Sequence, residues 1–388
     1  MKGIINGKIL LEDENGRFAP QERMVLLFDK KIIQAAPANY FAASQVEELI
    51  DAQGLYVSPG FINSHIHGCA GADTMDEDDD ALQKIAEYQA TTGVTSFCPT
   101  TMTYDMPRVH RALERIRKAM KENPENGARV LGAHLEGPFI NPDYKGAQAP
   151  ENIVAPDFKL IETYADAIRI VTAAPEMIPA GCSFPADCRR AGIRLSAGHS
   201  GADYETMVKA IQEQDFSRCT HLFNAMSGLH HRNPGVAAAA LDNGYLWCEL
   251  IADNIHVVPA MQRIAFRMKG LEKLVAITDS MRACGLPDGE SELGGQKVYK
   301  KDGRAVLADG TIAGSVLTMN EAVRNLAENL GIPVWQAAEC ATISAARSMG
   351  MQYQAGSFEA GAAADIVFFD DDVNIYRTIV NGKTVYEG

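Results

Sequence analysis

Apolar and polar positions divide this chain into three stretches. Over about the first 50 residues, short apolar runs alternate with turn signals: Asn6-Gly7 and Asn15-Gly16 are hairpin-type dipeptides, and Met24-Val25-Leu26-Leu27-Phe28 has the length and make-up of a strand. The end of the chain reads alike, with Asp365-Ile366-Val367-Phe368-Phe369, then Thr378-Ile379-Val380 followed by Asn381-Gly382. One small β unit drawn from both termini is therefore expected. The middle alternates strand-like runs with helical periodicity. Eight runs end near His67, Thr100, Glu136, Glu176, His199, Asn224, His256 and Asp279. The spacing of Val109, Leu113, Ile116 and Met120 predicts a helix over 106–121, and Met207, Ala210 and Ile211 one over 203–212. A third is expected over 321–330, with Asn320 as N-cap and Gly331 as stop. Strands alternating with helices imply a parallel sheet, and eight such units imply a (β/α)8 TIM-like barrel. The expected layout is an α/β chain: a barrel over 56–345, and a small β-sandwich domain shared by 1–55 and 346–388.

Composition narrows the function. A hydrophobic share of 46% in 388 residues is enough for a large core. The formal net charge of −14 argues against nucleic acid or an anionic membrane as partner, since both need basic surface. An anionic substrate would have to be held by local positive groups against the overall field. The eight cysteines are scattered without a Cys-x-x-Cys pair and read as buried thiols. The first residues lack the apolar stretch of a signal peptide, and no apolar run approaches membrane-spanning length. A cytoplasmic protein is expected.

The candidate chemistry lies in the histidines. Of nine, eight stand in short clusters beside glycine, carboxylates or turn residues. In Gly60-Phe61-Ile62-Asn63-Ser64-His65-Ile66-His67-Gly68, residues two apart on a strand share a face, so His65 and His67 can aim two imidazoles at one point. The bland alternative is two unrelated polar positions on a half-exposed strand. In Gly132-Ala133-His134-Leu135-Glu136-Gly137-Pro138, a carboxylate at the end of an apolar strand needs a cation or an ion pair, a loop Arg or Lys being the ordinary partner. His199, His221 and His256 each close a strand-like run, where either a barrel site or a satisfied structural histidine would fit. Asp279 directly follows an apolar run, and its ordinary role would be the N-cap of the next helix. Jointly, His65, His67, Glu136, His199, His221, His256 and Asp279 fall at the same end of successive strands, whereas only His110 looks set on a helix face. That concentration favours a metal site.

The chain resembles the N-acetylglucosamine-6-phosphate deacetylases of the amidohydrolase superfamily. The resemblance rests on Pro59-Gly60-Phe61-Ile62 with His65-Ile66-His67-Gly68, on His134-Leu135-Glu136-Gly137-Pro138, on Gly198-His199-Ser200, on His221-Leu222-Phe223-Asn224-Ala225-Met226 and on Thr278-Asp279, and it spans essentially the whole chain, including Gly361-Ala362-Ala363-Ala364-Asp365. It implies Glu136, His199 and His221 as ligands of a principal divalent metal. The pair His65 and His67 then completes the ligand set for a second ion, with Glu136 as the bridge. Zinc is the foremost candidate, with iron, manganese or cobalt as alternatives. The resemblance implies Asp279 as the catalytic aspartate, and Asn224, Ala225, Arg232 and His256 as contacts to a small-molecule amino-sugar phosphate. Gln148 stands where some members carry a histidine on the acetamide, and is read as a substrate contact. The phosphate-binding arginine can come from a neighbouring subunit, so a homodimer is expected. The run Ile168-Arg169-Ile170-Val171-Thr172-Ala173-Ala174-Pro175-Glu176 has no lysine to carboxylate, which favours the deacetylase branch over the hydantoinase and dihydroorotase branches.

The activity so implied is metal-dependent hydrolysis of the acetamide of N-acetylglucosamine 6-phosphate. A metal lowers the pKa of bound water and polarises the carbonyl, while Asp279 accepts a proton and delivers it to the departing amine. Arg232 would hold the phosphate, its alternative being a solvated loop cation. His230 and His231 could add positive charge or pack at a subunit interface. Competing readings are the galacto epimer of the substrate, another amidohydrolase reaction (deamination, or hydrolysis of an N-acyl amino acid), and a metal-binding scaffold without activity.

Overall fold

The computed structural model describes the backbone of residues 1–388 and every side chain except that of residue 45. The eight expected strand runs each form a strand: β1 (Phe61–Ile66), β2 (Val94–Pro99), β3 (Ala133–Glu136), β4 (Ile168–Ala173), β5 (Arg194–Ala197), β6 (Phe216–Cys219), β7 (Trp247–Ile251) and β8 (Leu274–Ile277). β3 to β8 pair in parallel and in sequence order as one six-stranded sheet, and β1 pairs in parallel with β2. Arg129–Val130 continues that second sheet beside β2 before the chain enters β3. Main-chain bonds also run between the sheets: Thr101 N–H donates to His134 O (3.0 Å) and Asp279 N–H to His65 O (2.9 Å). The strands are short and apolar because both of their faces are covered, as parallel sheets require.

Three runs stop earlier than their sequence suggests. Those expected to end near Glu176, Asn224 and His256 leave the sheet at Ala173, Cys219 and Ile251. Beyond those points Pro175, or left-handed residues such as His221 (φ 31°) and Asn254 (φ 65°), turn the backbone out of extended pairing.

The helices follow their periodicity. α1 (Met106–Glu122) buries Val109, Ala112, Leu113 and Ile116, and Asp105 caps it by accepting from Arg108 N–H. α2 (Tyr204–Glu213) is capped by Asp203 in the same way. α3 (Met319–Leu330) corrects the expected cap. Asn320 lies inside the helix, and Glu321 instead accepts from the Thr318 main-chain N–H (3.1 Å) and hydroxyl (2.7 Å). A Thr-x-x-Glu box satisfies more of the end than a lone asparagine could. After β8 comes an element the periodicity did not suggest, a three-stranded antiparallel sheet of Gly289–Leu293, Gln296–Lys301 and Arg304–Leu307.

The two termini build a mostly β unit of two facing sheets. One orders Ile32–Pro37, Met24–Phe28, Lys2–Ile5 and Glu48–Asp51; the other orders Lys383–Glu387, Ile375–Val380, Ile366–Phe369, Tyr56–Pro59, Lys8–Glu12 and Phe18–Gln21. Ile4, Leu26 and Phe28 from the first meet Ile9, Val57, Ile366 and Phe368 from the second in a small core. Val367 and Phe369, on the opposite face of the same strand, join the main core instead. One strand thereby fastens the terminal unit to the α/β body, which explains why residues 366–369 lack polar alternation. Among the described residues no helix is long and apolar enough to cross a membrane.

Candidate active site

Six side chains from five strands meet at one end of the parallel sheets. His65 lies within β1 and Glu136 closes β3, while His67 follows β1 by one residue. His199, His221 and Asp279 each stand two residues past β5, β6 and β8. The last three adopt positive φ, 48°, 31° and 49°, and these turns swing each side chain from the ladder into the mouth. Close packing makes the turns tight. At Gly198 a Cβ would lie 2.7 Å from Thr220 Cβ, so only glycine admits the approach of β5 to β6 just before His199.

Glu136 is the hub. Its Oε1 lies 3.3 Å from His199 Nε2 and 3.1 Å from His221 Nε2, and its Oε2 lies 3.2 Å from His67 Nε2. Asp279 Oδ1 lies 3.3 Å from His67 Nε2 and 3.4 Å from His65 Nε2. All six residues are buried. The ordinary alternatives weighed for the two carboxylates do not hold: every ion-pair partner of Glu136 is a histidine, and the helix that follows Asp279 is capped by Thr318.

The imidazoles are anchored from behind. His67 Nδ1 faces Thr100 O (3.2 Å), His199 Nδ1 faces Tyr144 O (2.9 Å), and His65 Nδ1 faces Glu249 Oε2 (2.9 Å). Carbonyl and carboxylate oxygens only accept, so each of these rings carries a proton on Nδ1 and, when neutral, turns the Nε2 lone pair inward. There the lone pairs meet an acceptor or no partner: His199 Nε2 lies 3.3 Å from Glu136 Oε1, and His65 Nε2 has no hydrogen-bond partner. Converging lone pairs and carboxylates repel unless positive charge sits among them. The site fits a cation. Two groups could hold one, Glu136 with His199 and His221, and His65 with His67 and Asp279, the ligand atoms of each lying within 4.8 Å of one another. A third grouping, His65, His134 and Glu249, is already satisfied internally, because His134 Nδ1 bonds Ser64 O (3.0 Å) and its Nε2 bonds Thr172 Oγ1 (2.7 Å).

Protonation follows the same demand for positive charge. Burial opposes charge on His67, yet hydrogen bonds to Asp279 and Glu136 raise its pKa well above the ordinary value. Burial likewise opposes charge on His221, but Glu136 brings it up to about 9. Burial works against ionised Glu136, and the surrounding histidines, His65 first, hold its pKa well below the usual carboxylate range. Asp279 is lowered against its burial by His65 and His67.

His67, Glu136, His199, His221 and Asp279 line a cavity of about 470 Å³ together with Gln148, Asn224, Ala225 and His256, and His65 lies behind them. His256 is tethered through Nδ1 to Asp253 Oδ2 (2.6 Å). Gln148 is fixed at both ends of its amide: Thr103 N–H donates to its Oε1 (2.7 Å), and its Nε2 donates to Glu136 Oε2 (2.9 Å). Arg232 is not brought to the cavity of its own chain, and His230, His231 and Arg232 all sit on an exposed loop. Sequence reasoning missed Glu249 and Arg218, whose charges interrupt apolar strands, and it missed Leu293 and Ile312, which line the cavity near the added antiparallel sheet.

The sequence profile of the amidohydrolase family matches residues 56–385. A Lysinibacillus sphaericus N-acetylglucosamine-6-phosphate deacetylase is 35% identical over 384 residues, covering 98% of this chain and 97% of that protein. The chain belongs to the N-acetylglucosamine-6-phosphate deacetylase family of amidohydrolases. It is a hydrolase of that family. The crystal structure of the N-acetylglucosamine-6-phosphate deacetylase from Pasteurella multocida superposes on it over 100% of both chains, with a TM-score of 0.91 at 30% identity. An Escherichia coli N-acetylgalactosamine-6-phosphate deacetylase is also similar, 36% identical over 84% of this chain and 86% of that protein.

Proposed function

We propose that this deacetylase-family chain hydrolyses the acetamide of N-acetylglucosamine 6-phosphate, releasing acetate and glucosamine 6-phosphate. One observation carries the reading: inward-facing imidazole nitrogens and two buried carboxylates converge on a cavity of about 470 Å³, in a chain whose relatives are deacetylases of amino-sugar phosphates. Glu136, His199 and His221 would hold the principal cation. His65, His67 and Asp279 would hold a second, with Glu136 between the two groups, its Oε1 facing His199, His221 and His65 and its Oε2 facing His67. Zinc is the first choice of metal, and iron, manganese or cobalt suit the same donors. When bound, such a cation supplies Lewis acidity and makes hydroxide available near neutral pH.

The remaining work belongs to the chain itself. Asp279, kept ionised by His65 and His67, accepts the proton of the attacking water and passes it to the departing nitrogen. His256 has Nδ1 committed to Asp253, so its other ring nitrogen is left to orient the acetyl oxygen or steady its developing charge. Asn224 and Ala225 border the sugar phosphate. Arg232 contributes to the phosphate site across a homodimer, a reading supported by its exposure away from its own cavity. Gln148, already bound to Glu136, contacts the acetamide only from its edge.

The parallel strands close into a (β/α)8 barrel over 56–345, and the hydrogen bond from Asp279 N–H to His65 O supports the joining of β8 to β1. Residues 1–55 and 346–388 are assigned to the terminal β unit, with Tyr56–Pro59 running through its sheet on the way to β1. Eight unpaired thiols, seven of them buried, fit the reducing cytoplasm.

The galacto epimer is the second reading, favoured by the similarity to the Escherichia coli enzyme that acts on it. Acetate release measured on both phosphorylated epimers and on unphosphorylated N-acetylglucosamine tests the assignment. The expected order of kcat/KM is the gluco phosphate first, the galacto phosphate second and the free sugar last. Arg232→Ala should raise KM for the phosphorylated sugar about 10- to 100-fold, the worth of a charge-assisted hydrogen bond, and leave KM for the free sugar unchanged. Equal turnover of free and phosphorylated sugar would overturn the phosphate assignment.

A further inference from the structure

Beneath the mouth lies an ion pair that the proposed chemistry does not use. Glu249 in β7 and Arg218 in β6 are fully buried and meet through Arg218 Nη2 and Glu249 Oε1 at 2.6 Å. Arg218 also donates to Ser64 Oγ at 3.1 Å and to Ser348 Oγ. Burying two charges is expensive, and a buried ion pair is often no more stabilising than apolar residues of the same volume. The geometry suggests what this one does. With Oε1 taken by Arg218, Glu249 turns Oε2 onto His65 Nδ1 at 2.9 Å and onto the His221 main-chain N–H at 3.3 Å.

That contact decides where the His65 proton resides. A carboxylate accepts and cannot donate, so His65 keeps its proton on Nδ1 and presents Nε2 as a donor atom for a metal. Nε2 is the buried nitrogen without a hydrogen-bond partner, facing Glu136 and Asp279. A ring with the opposite tautomer would place N–H there and could not ligate. Arg218 matters because it holds the carboxylate in place through its other oxygen.

We infer that Glu249, held by Arg218, is a positioning residue that fixes the metal-binding tautomer of His65 and so governs occupancy of the His65, His67 and Asp279 cation site. The inference rests on the proposed two-cation reading. It goes further in tying the second ion to a residue that is not a ligand. The principal group is less exposed to the loss, because Glu249 reaches His221 only through a long main-chain contact.

Glu249→Gln keeps the shape and inverts the polarity. Its single oxygen can still accept from Arg218, and its amide then donates to His65 Nδ1, driving the proton to Nε2. Zinc titration of chelator-stripped full-length protein against a competing chromophoric chelator, with elemental analysis after dialysis, reads both sites. Wild type should bind two equivalents. Glu249→Gln should bind the first with unchanged affinity and the second about 10- to 100-fold more weakly, the usual cost of losing such a partner. Glu249→Asp, which restores a carboxylate, should recover part of the second affinity, and it carries the test if the glutamine variant does not fold. A merely structural pair would lower the metal-free Tm of either variant and leave both zinc affinities at wild-type values, and that result overturns the inference. A wild type that binds one equivalent, unaltered by His65→Asn, would instead overturn the two-cation reading beneath it.

Discussion

His65 and His67 reach the site from a regular strand and the residue after it, whereas His199 and His221 reach it from turns two residues past their strands, at φ 48° and 31°. The first pair inherits its direction from the period-2 geometry of β1, so a shared face brings both rings to one point. The second pair depends on left-handed backbone that L-residues adopt only when surrounding structure forces it. Support from behind differs too: a charged pair in the sheet interior backs His65, and the Tyr144 carbonyl on a loop backs His199. One half of the centre is set by strand register and the other by loop packing.

The largest expected effect lies where the halves meet. Asp279→Asn keeps shape and an oxygen ligand but removes the proton acceptor, and acetate release should fall roughly 100- to 10,000-fold, the range for a general acid–base group. Metal content of that variant should persist at the Glu136, His199 and His221 group. Normal turnover would remove the proton-transfer role. The next effect separates the halves directly. His199→Asn should lose the tightly held ion and most activity and keep only the weaker one, while His67→Asn should keep the tight ion, as read by zinc titration against a competing chelator. Equal affinity of the retained equivalent in both variants would erase the distinction.

The smallest effect concerns His134, an inward strand histidine whose two nitrogens are both satisfied by neutral oxygens. Burial first, and the neighbouring His65 second, push its pKa down to about 3 from 6.5. Above pH 6.5 the ring is neutral in the folded and unfolded chains alike, and its full contribution to stability is present. As pH falls through that window to about 3, only the unfolded chain takes up the proton, so stability is progressively lost. The Tm difference between wild type and His134→Gln should therefore narrow between pH 7 and 4. A constant difference would contradict the buried neutral state.

The same contrast explains what could be read from letters. His-x-His on β1 was legible because strand periodicity alone brings two side chains to one face, and the eight strands were legible as apolar runs. Two helices were legible from their apolar spacing, while their caps, Asp105 and Asp203, emerge in the structure. Other features were hidden by their long range. That Glu136 Oε1 faces three imidazoles while Oε2 faces a fourth depends on packing among four strands. The pairing of Glu249 with His65 joins residues 184 apart, and its only trace in sequence is a charge inside the apolar run of β7. Gln148 illustrates the limit from the other side. Its place in the motif suggests a substrate contact, while its amide is held between Thr103 and Glu136.

Acetate release from N-acetylglucosamine 6-phosphate, followed on one preparation before chelation, after chelation and after a divalent metal is restored, tests the central claim most directly. Release should stop when the metal is removed and return in proportion to the metal bound at Glu136, His199 and His221. A fully stripped protein that still released acetate at its original rate would contradict it.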